Sequence, residues 1–169
     1  MNLKKKCQNI KLIATDVDGV LTDGGRYFSE KGEKMKKFHV RDGMAVNILL
    51  RNDIPTIIIT KENSLIVKKW AKEMNVTQTF SGVKNKEKIL LKICKKYNVS
   101  SDEIAFIGDD INDLPLLDLI GFSSCPFDGD FQVKENVDYV CKNNGGHAVL
   151  REITNFVLSN KLSKETKWY

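Results

Sequence analysis

Short apolar runs alternate along this chain with stretches in which apolar residues recur every three or four positions, the pattern of a βαβ architecture. Residues 10–15 read as a first buried strand. Residues 55–60, with Ile57, Ile58 and Ile59 in succession, are apolar on both faces, as an inner parallel strand requires. Residues 77–80 form a third short strand, 104–107 a fourth, and 121–124 begin a fifth. Helices are predicted between them: from Asp42, as its cap, to Asn52; from Asn63 or Ser64 to Met74; from Asn85 to Tyr97; and over residues 112–119 and 147–158. Ser100 and Ser101 read as a turn before the fourth strand. Residues 24–40 depart from the alternation: Arg26-Tyr27-Phe28 and Lys36-Lys37-Phe38-His39-Val40 flank a polar Ser29-Glu30-Lys31-Gly32 turn, which predicts a β-hairpin. No internal repeat or linker interrupts the pattern. The expectation is one α/β domain over residues 1–169, a Rossmann-like parallel sheet flanked by helices, with a hairpin flap at 24–40 and a polar tail at 160–169.

Composition narrows the classes of function. The net charge of +5 comes from lysines scattered over helix-like stretches and both chain ends, without interleaved aromatic residues. That describes a solvated surface with a mild attraction for anions and argues against a nucleic-acid stripe. No apolar run approaches the ~18 residues of a membrane span. The basic start Lys4-Lys5-Lys6 leads into Cys7-Gln8-Asn9 instead of a signal-peptide apolar core, so a cytoplasmic protein is expected. Cys7, Cys94, Cys125 and Cys141 are far apart and read as reduced thiols.

The candidate chemistry lies in carboxylates. The first strand runs into Asp16-Val17-Asp18-Gly19, and the fourth ends in Gly108-Asp109-Asp110-Ile111-Asn112-Asp113. In a parallel sheet both strand ends face the edge where ligands bind, so up to five carboxylates converge on one crevice. Two like charges at 4 Å repel by roughly 4 kcal/mol even at an effective dielectric of 20. Either several groups are protonated or a cation neutralises them. An all-oxygen donor set calls for a hard cation, and Mg2+ fits best. With such an ion screening a phosphoryl group, Asp16 can act as nucleophile and Asp18 as general acid and base.

These segments, with a strand ending in Thr60 and an isolated Lys86, resemble the four motifs of the haloacid dehalogenase superfamily of phosphatases. The resemblance implies that Asp16 is nucleophile and metal ligand, and that Asp18 is acid/base and binds metal through its carbonyl. It makes Thr60 a phosphoryl hydrogen-bond donor, and gives Lys86 the task of pairing with that group and holding Asp16. Asp109 becomes the third protein ligand, with Asp110 and Asp113 behind it. True dehalogenases lack the second aspartate, so Asp18 points to phosphate chemistry.

Only 41 residues separate Asp18 from Thr60, and 25 separate Thr60 from Lys86. Neither gap holds a cap domain, since domains start at ~50 residues. A capless site suits a macromolecular substrate, or a small one enclosed by a neighbouring subunit. Thr22-Asp23-Gly24-Gly25, the hairpin, Phe38-His39-Val40-Arg41-Asp42-Gly43, Ser81-Gly82-Val83-Lys84-Asn85-Lys86 and Asn144-Gly145-Gly146-His147-Ala148 resemble the capless phosphatases of 2-keto-3-deoxy sugar acids. That subgroup includes 3-deoxy-manno-octulosonate 8-phosphate phosphatases and nine-carbon, sialic acid-like 9-phosphate phosphatases. It implies a homotetramer whose hairpin packs beside a neighbour's active site. Octulosonate enzymes typically carry Thr-Gly-Arg where this chain has Thr60-Lys61-Glu62, which looks more like the nine-carbon group. In that group's best-known members basic residues follow where Trp70 and Glu73 stand here. Arg41, Lys61 and Glu62 are the candidate substrate-binding residues, and His39 and His147 are read as structural. The alternatives are a capless phosphatase for another small ester or a phosphoprotein, and a non-catalytic oligomerising domain of sialic acid metabolism.

Overall fold

The computed structural model describes residues 2–161 and 166–168. Helix α1 (Leu3–Asn9) precedes strand β1 (Leu12–Thr15). The hairpin β2 (Tyr27–Ser29) and β3 (Gly32–Met35) follows, then helix α2 (Val40–Arg51), β4 (Thr56–Ile59), α3 (Leu65–Glu73) and β5 (Gln78–Phe80). The second half comprises α4 (Leu90–Tyr97), β6 (Ile104–Ile107), α5 (Leu114–Leu117), β7 (Phe122–Cys125), α6 (Phe131–Asn136), β8 (Tyr139–Val140) and α7 (Val149–Asn160).

Six strands form one parallel sheet in the order β5-β4-β1-β6-β7-β8. Every residue of β1, β4 and β6 is buried, and successive side chains serve opposite faces. Ile13, Ile58, Ala105 and Ile107 pack with α1, α2, α3 and α7, whereas Leu12, Ala14, Ile57, Ile59, Ile104 and Phe106 pack with α4, α5 and α6. The β-branched run of β4 is thus the fingerprint of a strand covered on both sides. No described helix is long and apolar enough to cross a membrane.

Several expectations shift. Helix α2 is capped by His39, whose Nδ1 accepts the Arg41 N–H at 3.2 Å, and not by Asp42. Asp42 lies inside the helix, fully buried, and accepts the Arg151 N–H at 3.0 Å in the first turn of α7. Its side chain therefore joins the two helices. The stretch predicted as one helix from Asn85 opens as a 3₁₀ turn, Lys86–Ile89, before α4 begins. The hairpin strands end at Met35, and α1, α6 and β8 had no counterpart in the sequence reading. Part of the polar tail lies outside the described residues. Within it, Lys167 exchanges two hydrogen bonds with Asn52, at 2.9 and 3.1 Å.

Candidate active site

Strand β1 lies between β4, which leads to one edge of the sheet, and β6, which leads to the other, and a crevice opens beyond the carboxyl ends of these strands. Asp16 follows β1 directly, and its amide donates to the Ile107 carbonyl at 2.9 Å. The Val17 N–H donates to Asp16 Oδ1 at 2.7 Å, which fixes the carboxylate over the strand end. The loop then turns at Gly19 with φ +88°, where a Cβ would stand 1.9 Å from Asp109 Oδ2. Only glycine supplies both that backbone conformation and that space. Behind the loop, the Gly146 N–H donates to the Val20 carbonyl at 2.9 Å, and a Cβ on Gly145 would meet the Gly19 carbonyl at 2.1 Å. The Asn144–Ala148 motif is therefore a buttress for the loop that carries Asp16 and Asp18.

Carboxylate oxygens of Asp16, Asp109 and Asp113 lie within 4.8 Å of one another. Lys86, with no exposed side-chain surface, bridges two of them, at 2.7 Å from Asp16 Oδ2 and 2.5 Å from Asp113 Oδ1. Asp113 also accepts the Asp109 N–H at 3.1 Å, so it orients both the lysine and the strand end. Asp110 stands at the rim and accepts the Ile111 N–H at 2.8 Å.

One ammonium does not neutralise this group. Burial, reinforced by Asp113 and opposed by Lys86, pushes Asp16 up to about 6. Burial, together with Asp16 and Asp113, pushes Asp109 up to about 8. Burial alone would lower Lys86, but Asp16 and Asp113 outweigh it and hold its pKa above the ordinary lysine value. Asp109 Oδ1 is buried without a hydrogen-bond partner among the described residues. Crowded carboxylates, an orphaned buried oxygen and an oxygen-only donor set fit a hard divalent cation.

Above these groups lies a cleft of about 180 Å³. Asp16, Asp18, Thr60, Lys61, Glu62, Asp109 and Asp110 all line it, together with Arg26 and Asn112. Thr60 follows β4, where its amide donates to the Phe80 carbonyl at 2.9 Å and its Oγ1 accepts the Glu62 N–H at 3.2 Å. Its own carbonyl accepts the Val83 N–H at 3.0 Å, which anchors the segment leading to Lys86. Arg41 is exposed on the first turn of α2 and takes no part in the lining.

Sequence reasoning missed the hairpin's contribution. Lys36, on the connection after β3, has no exposed side-chain surface and pairs with Asp18 Oδ1 and, at 3.0 Å, with Glu33 Oε1. Burial opposes its charge, but Asp18 and Glu33 raise its pKa above the ordinary value. Arg26 pairs with Glu33 at 3.3 Å and with Glu62 at 3.7 Å. In the sequence Lys36 is one of a run of lysines, and nothing local marks it as buried.

The family profile for haloacid dehalogenase-like hydrolases matches residues 52–153. The chain belongs to that family. Among curated relatives of this hydrolase, the 3-deoxy-D-manno-octulosonate 8-phosphate phosphatase KdsC of Haemophilus influenzae is 35% identical over 156 residues, covering 92% of this chain and 87% of the relative. The KdsC of Escherichia coli K12 is 33% identical over 90% of this chain and 81% of its own length. Among solved structures, 3-deoxy-D-manno-octulosonate 8-phosphate phosphatase from Moraxella catarrhalis, in complex with a magnesium ion, a phosphate ion and a KDO molecule, superposes with a TM-score of 0.90 at 32% identity. It covers 94% of this hydrolase and 91% of that chain. The cobalt-bound phosphatase YrbI from Haemophilus influenzae gives a TM-score of 0.90 at 35% identity, covering 92% and 91%. The predicted fold, a parallel sheet flanked by helices with a hairpin and no cap domain between the motifs, agrees with these neighbours.

Proposed function

We propose that this hydrolase is a Mg2+-dependent phosphatase that releases phosphate from 3-deoxy-D-manno-octulosonate 8-phosphate through a phosphoaspartate on Asp16. The observation that carries the chemistry is the meeting of Asp16, Asp109 and Asp113 within 4.8 Å beneath a cleft that Thr60 also lines. The substrate follows from the names of the relatives.

Asp16, Asp109 and the Asp18 carbonyl would hold the ion, with Asp113 and Lys86 fixing their positions. When bound, it neutralises the charge between carboxylate and phosphoryl oxygens, so that two anions can approach. An oxygen of Asp16 attacks phosphorus, and the bond to the sugar oxygen breaks as Asp18 gives that oxygen a proton. Asp18 then takes a proton from water, whose oxygen attacks the phosphoaspartate and frees inorganic phosphate. The Thr60 hydroxyl donates to the phosphoryl group. Lys86 keeps Asp16 ionised and aimed, against the burial that pushes its pKa up.

A nine-carbon substrate is the second reading, favoured by Lys61 and Glu62 lining the cleft after Thr60. Phosphate release from octulosonate 8-phosphate, nonulosonate 9-phosphates and phosphopeptides decides between them. A marked preference for the eight-carbon ester supports the proposal, and equal rates on all esters would reject it. A homotetramer is proposed with it, because Tyr27, Phe28 and Met35 expose 48%, 61% and 58% of their surface on a short hairpin beside the cleft. Sedimentation showing a monomer at micromolar concentration would reject the shared-site assembly.

A further inference from the structure

A second cleft, of about 340 Å³, adjoins the one over Asp16. The two share Arg26 and Glu62, and the second is lined further by Phe28, Glu33, Asn63, Ser64 and Leu65 among others. Arg26 therefore stands on the saddle between a phosphoryl site and a trough with hydrogen-bonding walls and one aromatic flank. Three groups surround its guanidinium: Nε lies 3.3 Å from Glu33 Oε1, Nη2 lies 3.7 Å from Glu62 Oε2, and Cζ sits 4.8 Å from the centre of the Phe28 ring. A guanidinium carries five N–H donors, and these contacts leave most of them free. The side chain remains 44% exposed. Lys61 lines the phosphoryl cleft but not the trough.

The proposed substrate carries its phosphate and its carboxylate at opposite ends of a polyol chain. A phosphate seated over Asp16 sends the rest of that chain out of an otherwise acidic cleft, and its carboxylate needs a cation along the way. We propose that Arg26 is the specificity residue that binds the substrate's carboxylate, with the polyol lying in the trough between the hairpin and the start of α3. Glu33 and Glu62 hold the guanidinium in a set orientation and limit the entropy lost when the carboxylate arrives. The first turn of α3 carries no acidic residue and no side-chain cap, so its partial positive charge adds to that of Arg26. This inference rests on the sugar-acid reading of the site.

The test compares steady-state kinetics of the wild type, Arg26→Ala and Arg26→Lys on octulosonate 8-phosphate and on p-nitrophenyl phosphate, which has no carboxylate. Arg26→Ala should raise KM for the sugar-acid ester by about tenfold or more. kcat should change far less, and the ratio of kcat/KM between the two substrates should fall by the same factor as KM rises. Arg26→Lys, which keeps the charge but loses the planar fork, should recover part of that ratio. An unchanged ratio, or an equal loss on both esters, overturns the assignment while leaving the sugar-acid reading intact. A wild-type enzyme that hydrolyses p-nitrophenyl phosphate but not the sugar-acid ester overturns that reading and the Arg26 assignment with it.

Discussion

Replacing Lys86 with methionine removes the cation that pairs with Asp16 at 2.7 Å and with Asp113 at 2.5 Å, while preserving most of the buried volume. What remains is three carboxylates whose oxygens lie within 4.8 Å of one another. Breaking a buried ion pair by removing one partner costs about 3–5 kcal/mol, a large part of the roughly 5–15 kcal/mol that stabilises a typical domain. The cost should depend on pH in a definite direction. Without the ammonium, the native carboxylates hold protons that the unfolded chain releases near its ordinary carboxylate range. Native protein then binds more protons than unfolded protein at neutral pH, so the variant's stability falls as pH rises and recovers as pH falls. Urea unfolding followed by circular dichroism, in the presence of a chelator, measures this at about pH 7.5 and about pH 5. The variant should lose about 3–5 kcal/mol at the higher pH and clearly less at the lower. A variant as stable as the wild type, or a loss that does not change with pH, would refute the buried ion-pair reasoning.

Two further perturbations probe separate parts of the scaffold. Burial pushes Asp42 up to about 7 against the pull of the Arg151 and Leu150 amides, so its native form holds a proton that the unfolded chain loses, and stability falls as pH rises from the ordinary carboxylate range to about 7. Asp42→Asn keeps an acceptor for Arg151 but does not titrate. It should flatten the change in stability between about pH 5 and pH 8 by on the order of 1–3 kcal/mol; an unaltered slope in urea melts counts against a buried, titrating carboxyl. Gly19→Ala places a methyl 1.9 Å from Asp109 Oδ2 at a φ of +88°. It should lower phosphate release by about a hundredfold and raise the Mg2+ concentration for half-activity. Wild-type values for both would show that the loop has room to spare.

Much of the site was legible because its residues are tied to strand ends. Asp16, Thr60 and Asp109 each follow a β-branched or apolar run that the sequence marks plainly, and a parallel sheet brings such ends to one edge whatever the lengths between them. Lys86 was legible only by its place between the motifs, since nothing in its own surroundings distinguishes it from the other lysines. The hairpin residues were not legible. Arg26, Glu33 and Lys36 meet through a local fold of a short antiparallel pair with exposed faces, where apolar alternation carries no signal. Asp42 was misassigned because a carboxylate near a helix start usually caps its own helix, whereas here α2 packs on α7 and the side chain reaches the amide of Arg151. The two-residue strand β8 and the six-residue helix α6 are too short for periodicity to show.

The most direct test of the central claim is chemical. The enzyme is mixed with octulosonate 8-phosphate and Mg2+, quenched in acid within the first turnovers, and digested for mass spectrometry, beside an Asp16→Asn control. The expected result is a phosphoryl group on the peptide that carries Asp16, absent without Mg2+ and absent from the control, which releases no phosphate. Sustained phosphate release by Asp16→Asn, or turnover by the wild type with no phosphoryl group on that peptide, would contradict it.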